Sequence, residues 1–168
     1  MKSALKFIAF AFLTLAPLST YAQSNVAHIN VQQLISEMPE VIAAQNELAK
    51  LEKDYTNQID NAFKEFQTKA QSYSADAANQ TDVTNQARQK ELESMQTNLQ
   101  EFRDSAAQEL QKKQMDLMTP LLEKARNAIT KVGKEQGFNY VIDSSPNGGL
   151  ILAEGKDLIE DVKRELGF

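Results

Sequence analysis

From Val41 to Thr119 the chain contains neither glycine nor proline, and no other feature restricts its fold as much. Pro39 and Pro120 bracket the stretch, and all six glycines lie at Gly133 or beyond. Gln, Glu, Lys, Ala and Asn dominate it, with apolar residues recurring every three or four positions, the pattern of an amphipathic helix. Near its middle, Asn79 to Asn85 interrupts the pattern with a wholly polar run broken only by Val83. The stretch therefore reads as two long helices folded back on each other. Thr81 or Asp82 would cap the returning helix.

The outgoing helix carries Leu48, Leu51, Tyr55, Ile59, Ala62, Phe66, Ala70, Tyr73 and Ala77. Its steps of three and four make an eleven-residue repeat, about 3.67 residues per turn, so the seam needs little supercoiling. The return helix answers with Leu92, Met95, Leu99, Phe102, Ala106 and Leu110, loses definition at Lys112-Lys113, and resumes at Leu117. Asp60 with Lys64 and Glu65 with Lys69 have the spacing of ion pairs on an outer face. Pro120 predicts a kink near Asp116. At about 1.5 Å per residue, Pro39 to Ala78 would reach roughly 60 Å.

The flanks read as a small body. Val26-Ala27-His28-Ile29-Asn30 is a short strand ending in a cap, with Asn30 and Gln33 spaced as reciprocal capping partners. Val31 to Ser36 is a short helix, halted by the restriction Pro39 imposes on Met38. Leu121, Leu122, Ala125, Ile129 and Val132 form a broader apolar face than the arm has, and Gly137 is placed to end that helix with Phe138 against Val132. Tyr140, Val141 and Ile142 form one strand and Leu150, Ile151 and Leu152 another, joined by a Pro- and Gly-containing turn as a hairpin. Asp157 and Glu160 would cap a last helix whose apolar face is Leu158, Ile159, Val162 and Leu166. The expected class is α+β, mostly α: a long antiparallel helical hairpin, a coiled-coil arm, projecting from a small β-containing body. The arm spans 39–120 with its tip near 79–85, and residues 23–38 and 121–168 make the body.

Residues 1–22 have the layout of an export signal: Lys2 and Lys6, an apolar run from Phe7 to Leu18, then Thr20-Tyr21-Ala22 before a cleavable bond. Removing them leaves 16 basic residues against 23 acidic, a net charge of −7. A chain this acidic lacks the electrostatic footprint of a nucleic-acid binder. It also lacks cysteine, so stability must come from burial or association. A body this small, attached to a thin arm, points to association.

Candidate chemistry is sparse. His28 is the only histidine, which argues against a zinc site. Asp143-Ser144-Ser145 has serines beside a carboxylate, but no histidine is placed by sequence to activate them, and turn formation explains them. Gly148-Gly149 lacks the Lys-Ser/Thr of a phosphate loop. Neither a catalytic residue, a metal nor a cofactor is expected. Phe63, Val83, Met115 and Met118 fall outside the seam, and adaptable apolar surfaces of this kind are what promiscuous binders use. They are the candidate binding residues.

The strand motif Val26 to Asn30, the run Gln32-Gln33-Leu34-Ile35-Ser36-Glu37-Met38-Pro39-Glu40, the glycine-free hairpin, and then Gly137-Phe138-Asn139-Tyr140-Val141-Ile142-Asp143 and Gly148-Gly149-Leu150-Ile151-Leu152 together resemble the Skp/OmpH family of periplasmic chaperones across the mature chain. The resemblance implies a homotrimer joined through the body strands. Three arms would enclose a cavity that holds unfolded outer-membrane proteins without ATP, in the periplasm or against the outer membrane. Family members with basic arms are proposed to bind lipopolysaccharide or anionic lipid. From Ala44 to Met118 this chain has nine basic and thirteen acidic residues, which argues against that partner here. The alternative is a structural coiled-coil scaffold of the envelope that binds one folded partner.

Overall fold

The computed structural model describes residues 25–146 and 148–168; the export-signal reading falls outside them. The hairpin consists of α2 (Pro39–Asp76) and α3 (Asp82–Glu135), joined by a single 3-10 turn at Ala77–Asn79. Their 38 and 54 residues correspond to roughly 57 and 81 Å, so α3 retraces α2 and continues beyond its base. Pro39 opens α2, where its missing N–H leaves no helical bond unmade. Thr81 caps α3 by accepting the Thr84 N–H at 3.2 Å. The helix runs through Pro120, with Met118 and Leu121 packed against the core on either side of it.

The body is built around β1 (Val26–Ile29), followed by α1 (Val31–Glu37). Asn30 Oδ1 caps α1 by accepting the Gln33 N–H at 2.9 Å; the Gln33 side chain donates forward to Glu37, so only half of the expected reciprocal pair forms. After α3 come β2 (Tyr140–Asp143), β3 (Lys156–Asp157) and α4 (Ile159–Leu166). The sheet order is β2-β1-β3 and both pairings are parallel: Val26 lies opposite Tyr140, Ile29 opposite Asp143, and His28 opposite Asp157.

This corrects the expected hairpin. Leu150, Ile151 and Leu152 do not form a strand, and Ile151 and Leu152 project into solvent. The N-terminal β1 takes the place beside β2 that a returning strand would have filled. The third strand is the less apolar Lys156–Asp157 on the other side of β1. Gly148 makes the turn away from β2 possible: a Cβ there would stand 2.5 Å from the Asp143 carbonyl oxygen.

Alternation along β1 sends Ala27 and Ile29 into the core while Val26 and His28 face out. Leu34, Met38, Val41, Leu158 and Val162 are fully buried with Ile29, each stabilising the fold by roughly 1.5–3 kcal/mol. Val41 and Met118 belong to this cluster or pack on it, so the core reaches past residues 39 and 120 into the root of the hairpin. Both α3 and α4 end in Gly-Phe. Gly137 and Gly167 have φ of 74° and 89°, and the Phe138 and Phe168 N–H groups reach back to Gly133 and Lys163, closing each helix as a Schellman motif. At the start of α4, Asp157 accepts the Ile159 N–H at 3.0 Å, but Glu160 pairs with Lys163, so no reciprocal box forms.

Candidate functional site

The residues expected to line the hairpin seam are partly covered. Leu48, Leu51, Tyr55, Ile59, Phe66 and Tyr73 of α2 are half-buried against Leu92, Met95, Phe102 and Leu110 of α3. Leu99 and Ala106 are the arm's buried residues on α3. Tyr55 meets Phe102 edge-on with ring centroids 6.0 Å apart. A seam this narrow leaves both flanks wet, and polar pairs line it in antiparallel register: Glu40 with Lys124, Glu47 with Lys113, Tyr55 with Glu109, Tyr73 with Glu91, and Asp76 with Arg88. The anticipated Asp60–Lys64 and Glu65–Lys69 pairs are not what the charges do. Lys69 crosses to Glu91 instead, and that ammonium, with the Tyr73 hydroxyl, holds the Glu91 carboxyl below its ordinary range. At the tip, Asp76 takes Arg88 at 3.0 Å, and Arg88 lies 4.7 Å above the Tyr73 ring centre.

The four candidate binding residues separate. Val83 at the tip is 77% exposed, Met115 and Phe63 are also exposed, and Met118 packs against the core at the arm's root. Phe63 stacks on Phe66 with centroids 6.5 Å apart. The four therefore do not form one patch.

In the body, Tyr140 and Ile142 on β2, Val26 on β1, and Ile151 and Leu152 beyond β2 present apolar surface to solvent, whereas Ala27 and Ile29 are buried. His28 and Val141 are half-buried. Beside β2 lies an apolar recess of about 540 Å³ lined by Ile35, Leu122, Ile129, Phe138 and Val141. Ile35 and Leu122 were absent from the sequence-derived site residues. Their signal was available in the doubled apolar residues Ile35 and Leu34, and Leu121 and Leu122, which give a helix two apolar faces.

His28 also differs from expectation. Its Nδ1 lies 3.3 Å from Ser144 Oγ and its Nε2 3.1 Å from the Gly155 carbonyl. The parallel register that sequence alone did not reveal brings the histidine to the serine. The ring spans both ends of the loop from Ser144 to Gly155 and clasps it to the sheet. Ser145 donates to Asp143 Oδ1 at 2.6 Å and accepts the Gln32 N–H. Burial works against the Asp143 charge, yet hydrogen bonds from Ser145 and the Val31 N–H hold its carboxyl below the usual range. These groups fix the turn after β2 to the start of α1, as a structural role requires. Among the described residues no His, Cys, Asp and Glu cluster could hold a metal, and no helix is long and apolar enough to cross a membrane.

The family model described as outer membrane protein (OmpH-like) matches residues 25–166. The chain is 24% identical over 159 residues to a Yersinia enterocolitica protein named chaperone protein Skp, covering 92% of this chain and 93% of that one. A crystal structure from Caulobacter crescentus, titled as that of a putative outer membrane chaperone (OmpH-like), superposes with a TM-score of 0.77 at 12% identity, covering 86% and 85% of the two chains. The latter likeness is one of fold: helical arm on a small sheet. With its hairpin, its three parallel strands and a match over nearly all described residues, the chain belongs to the OmpH-like outer membrane protein family.

Proposed function

We propose that the protein is an ATP-independent periplasmic holdase that binds unfolded outer-membrane proteins between helical arms and keeps them from aggregating. The observation that carries this reading is the distribution of uncovered apolar surface. Tyr140, Ile142, Leu122, Ile151 and Leu152 are exposed on or beside the body, while the arm buries only its own seam. A body with that much exposed apolar surface is built to associate. Three copies joined there would leave three arms free at their tips around a common space. Residues 23–38 and 121–168 are then the association unit and 39–120 the holding arm, with no catalytic role assigned to any residue. The names of the relatives, one a chaperone and one an outer membrane chaperone, support the same client class.

Because the arm is acidic, clients are held by apolar contact and confinement more than by long-range attraction, and the same charge disfavours lipopolysaccharide or anionic lipid as a partner. The test dilutes a urea-unfolded outer-membrane β-barrel with and without the protein and follows light scattering, with native mass measured in parallel. A trimer that suppresses scattering at one per client, and does so little affected by moderate salt, is expected. Undiminished aggregation at that ratio refutes the reading.

A further inference from the structure

The middle of the arm holds a recess unlike the others. It measures about 440 Å³ and is lined by Phe63, Phe66, Leu99, Gln96, Thr97 and Arg103, among others, a volume within the ~300–1,000 Å³ range of ligand sites. Its lining carries one cation and no carboxylate. The recess nearer the root sets Lys50, Lys112 and Lys113 against Glu47, Asp54, Glu109 and Asp116, so every cation there is already matched by a carboxylate.

Of the four polar side chains lining the Phe63 recess, Thr97 donates to the Glu93 carbonyl and Gln100 to Asp104, which leaves Gln96 and Arg103 uncommitted. Of the arm's two arginines, Arg88 is bound to Asp76. Arg103 and Gln96 have no side-chain partner among the described residues. Phe63 is 40% exposed, with its far side backed by Phe66. An exposed ring with a supported back face offers a stacking surface. An unpaired guanidinium beside it offers a two-pronged donor to a carboxylate. Between Ala44 and Met118, where acidic residues outnumber basic ones by four, a local positive centre next to an aromatic ring is a selective feature.

We propose that this recess is a client subsite for an unfolded segment in which an aromatic residue stands next to a carboxylate. The ring stacks on Phe63 over Leu99, the carboxylate takes Arg103, and the Gln96 amide bonds to the segment's backbone. The proposal rests on the holdase reading and adds to it the kind of segment that is gripped first.

The experiment measures fluorescence anisotropy of labelled Gly/Ser peptides carrying a single Trp-Asp, Trp-Asn or Leu-Asp pair, using the full-length mature protein. The wild type is expected to bind the Trp-Asp peptide tightest. R103Q is expected to weaken the Trp-Asp peptide about tenfold, the size of one charge-assisted hydrogen bond, and leave Trp-Asn unchanged. Phe63→Leu, which keeps an apolar helix residue, is expected to weaken both Trp peptides and leave Leu-Asp unchanged. R103E is expected to prefer a Trp-Lys peptide. Circular dichroism matching the wild type establishes that each variant is folded. Equal losses for Trp-Asp and Trp-Asn in R103Q, or no loss in either, overturn the subsite. Light scattering of an unfolded barrel, run on the same samples, separates the two claims. Peptide discrimination without suppression of aggregation removes the holdase reading, and suppression with no discrimination removes the subsite.

Discussion

Gly133 lies buried near the end of α3, and a Cβ placed on it would stand 2.8 Å from Cγ2 of Val141 on β2. Two effects compete when Gly133→Ala is made. Within a helix, alanine is favoured over glycine by about 0.8–1 kcal/mol. Against that, the extra methyl overpacks a β-branched neighbour that cannot rotate away, which costs about 1–3 kcal/mol. The Val141 backbone is held in register as well, since it pairs with Ala27 of the central strand. The clash should win by about 1 kcal/mol, a fall of roughly 2–4 °C in melting temperature. In a Val141→Ala background the obstructing methyls are gone and the sign should reverse, so that Gly133→Ala stabilises by about 1 kcal/mol. The coupling between the two sites would then be about 2 kcal/mol. Urea unfolding at one fixed protein concentration removes the mass-action effect of association, and amide exchange of Ala27 and Ile29 reports the body alone. The same sign for Gly133→Ala in both backgrounds would refute this account of why glycine occupies the position.

Three further outcomes follow from the geometry. Asp161, bonded first by Lys156 and then by Gln136 and Arg164, has its pKa lowered from 3.8 to about 2. Its stabilisation is therefore complete above pH 4 and lost as pH falls through about 2. Asp161→Asn should melt below the wild type at neutral pH, with the gap closing between about pH 4 and 2; a gap constant with pH contradicts the assignment. Leu99→Ala removes a buried side chain of the arm seam and should cost about 2–3 kcal/mol. Arm amides near Leu99 should then exchange about 30- to 100-fold faster while those of Val26–Ile29 keep their rates. His28→Ala releases both ends of the Ser144–Gly155 loop. At about 0.5–1.5 kcal/mol per hydrogen bond lost, chymotrypsin should cut after Leu150 or Leu152 several-fold faster.

The arm was legible because its signals are local. A glycine-free run, a repeat of threes and fours and a capping threonine each specify helix without reference to the rest of the chain. The body was legible only in its pieces. Leu150-Ile151-Leu152 has the composition of a strand and Lys156–Asp157 does not, yet the second pairs with β1, because pairing is decided by which backbone reaches the open edge. The same register put His28 beside Ser144, more than a hundred positions away, where no spacing rule could place it. Lys69 follows the same logic: the within-helix partner Glu65 is visible in the sequence, while Glu91 becomes a neighbour only once the hairpin closes. Arg103 escaped notice because a lone arginine on a helix is unremarkable until its neighbours' partners are known.

The central position of β1 has a consequence for how the molecule comes together. Both of its neighbours lie at the far end of the chain, so the sheet cannot close until nearly the last residue is available. Closing so large a loop directly would be slow. The cross-hairpin pairs shorten it by stages: Asp76 and Arg88 are 12 positions apart, Tyr73 and Glu91 18, Tyr55 and Glu109 54, and Glu40 and Lys124 84. Each closure leaves at most 18 residues of either helix to order before the next, far fewer than the whole loop. The tip is thus the starting point of assembly and the sheet its final step, with the arm acting as a zipper that delivers β2 and β3 to a waiting strand. Turns removed in matched pairs from α2 and α3 would leave that delivery in register; turns removed from one helix alone would bring the wrong residues to the sheet.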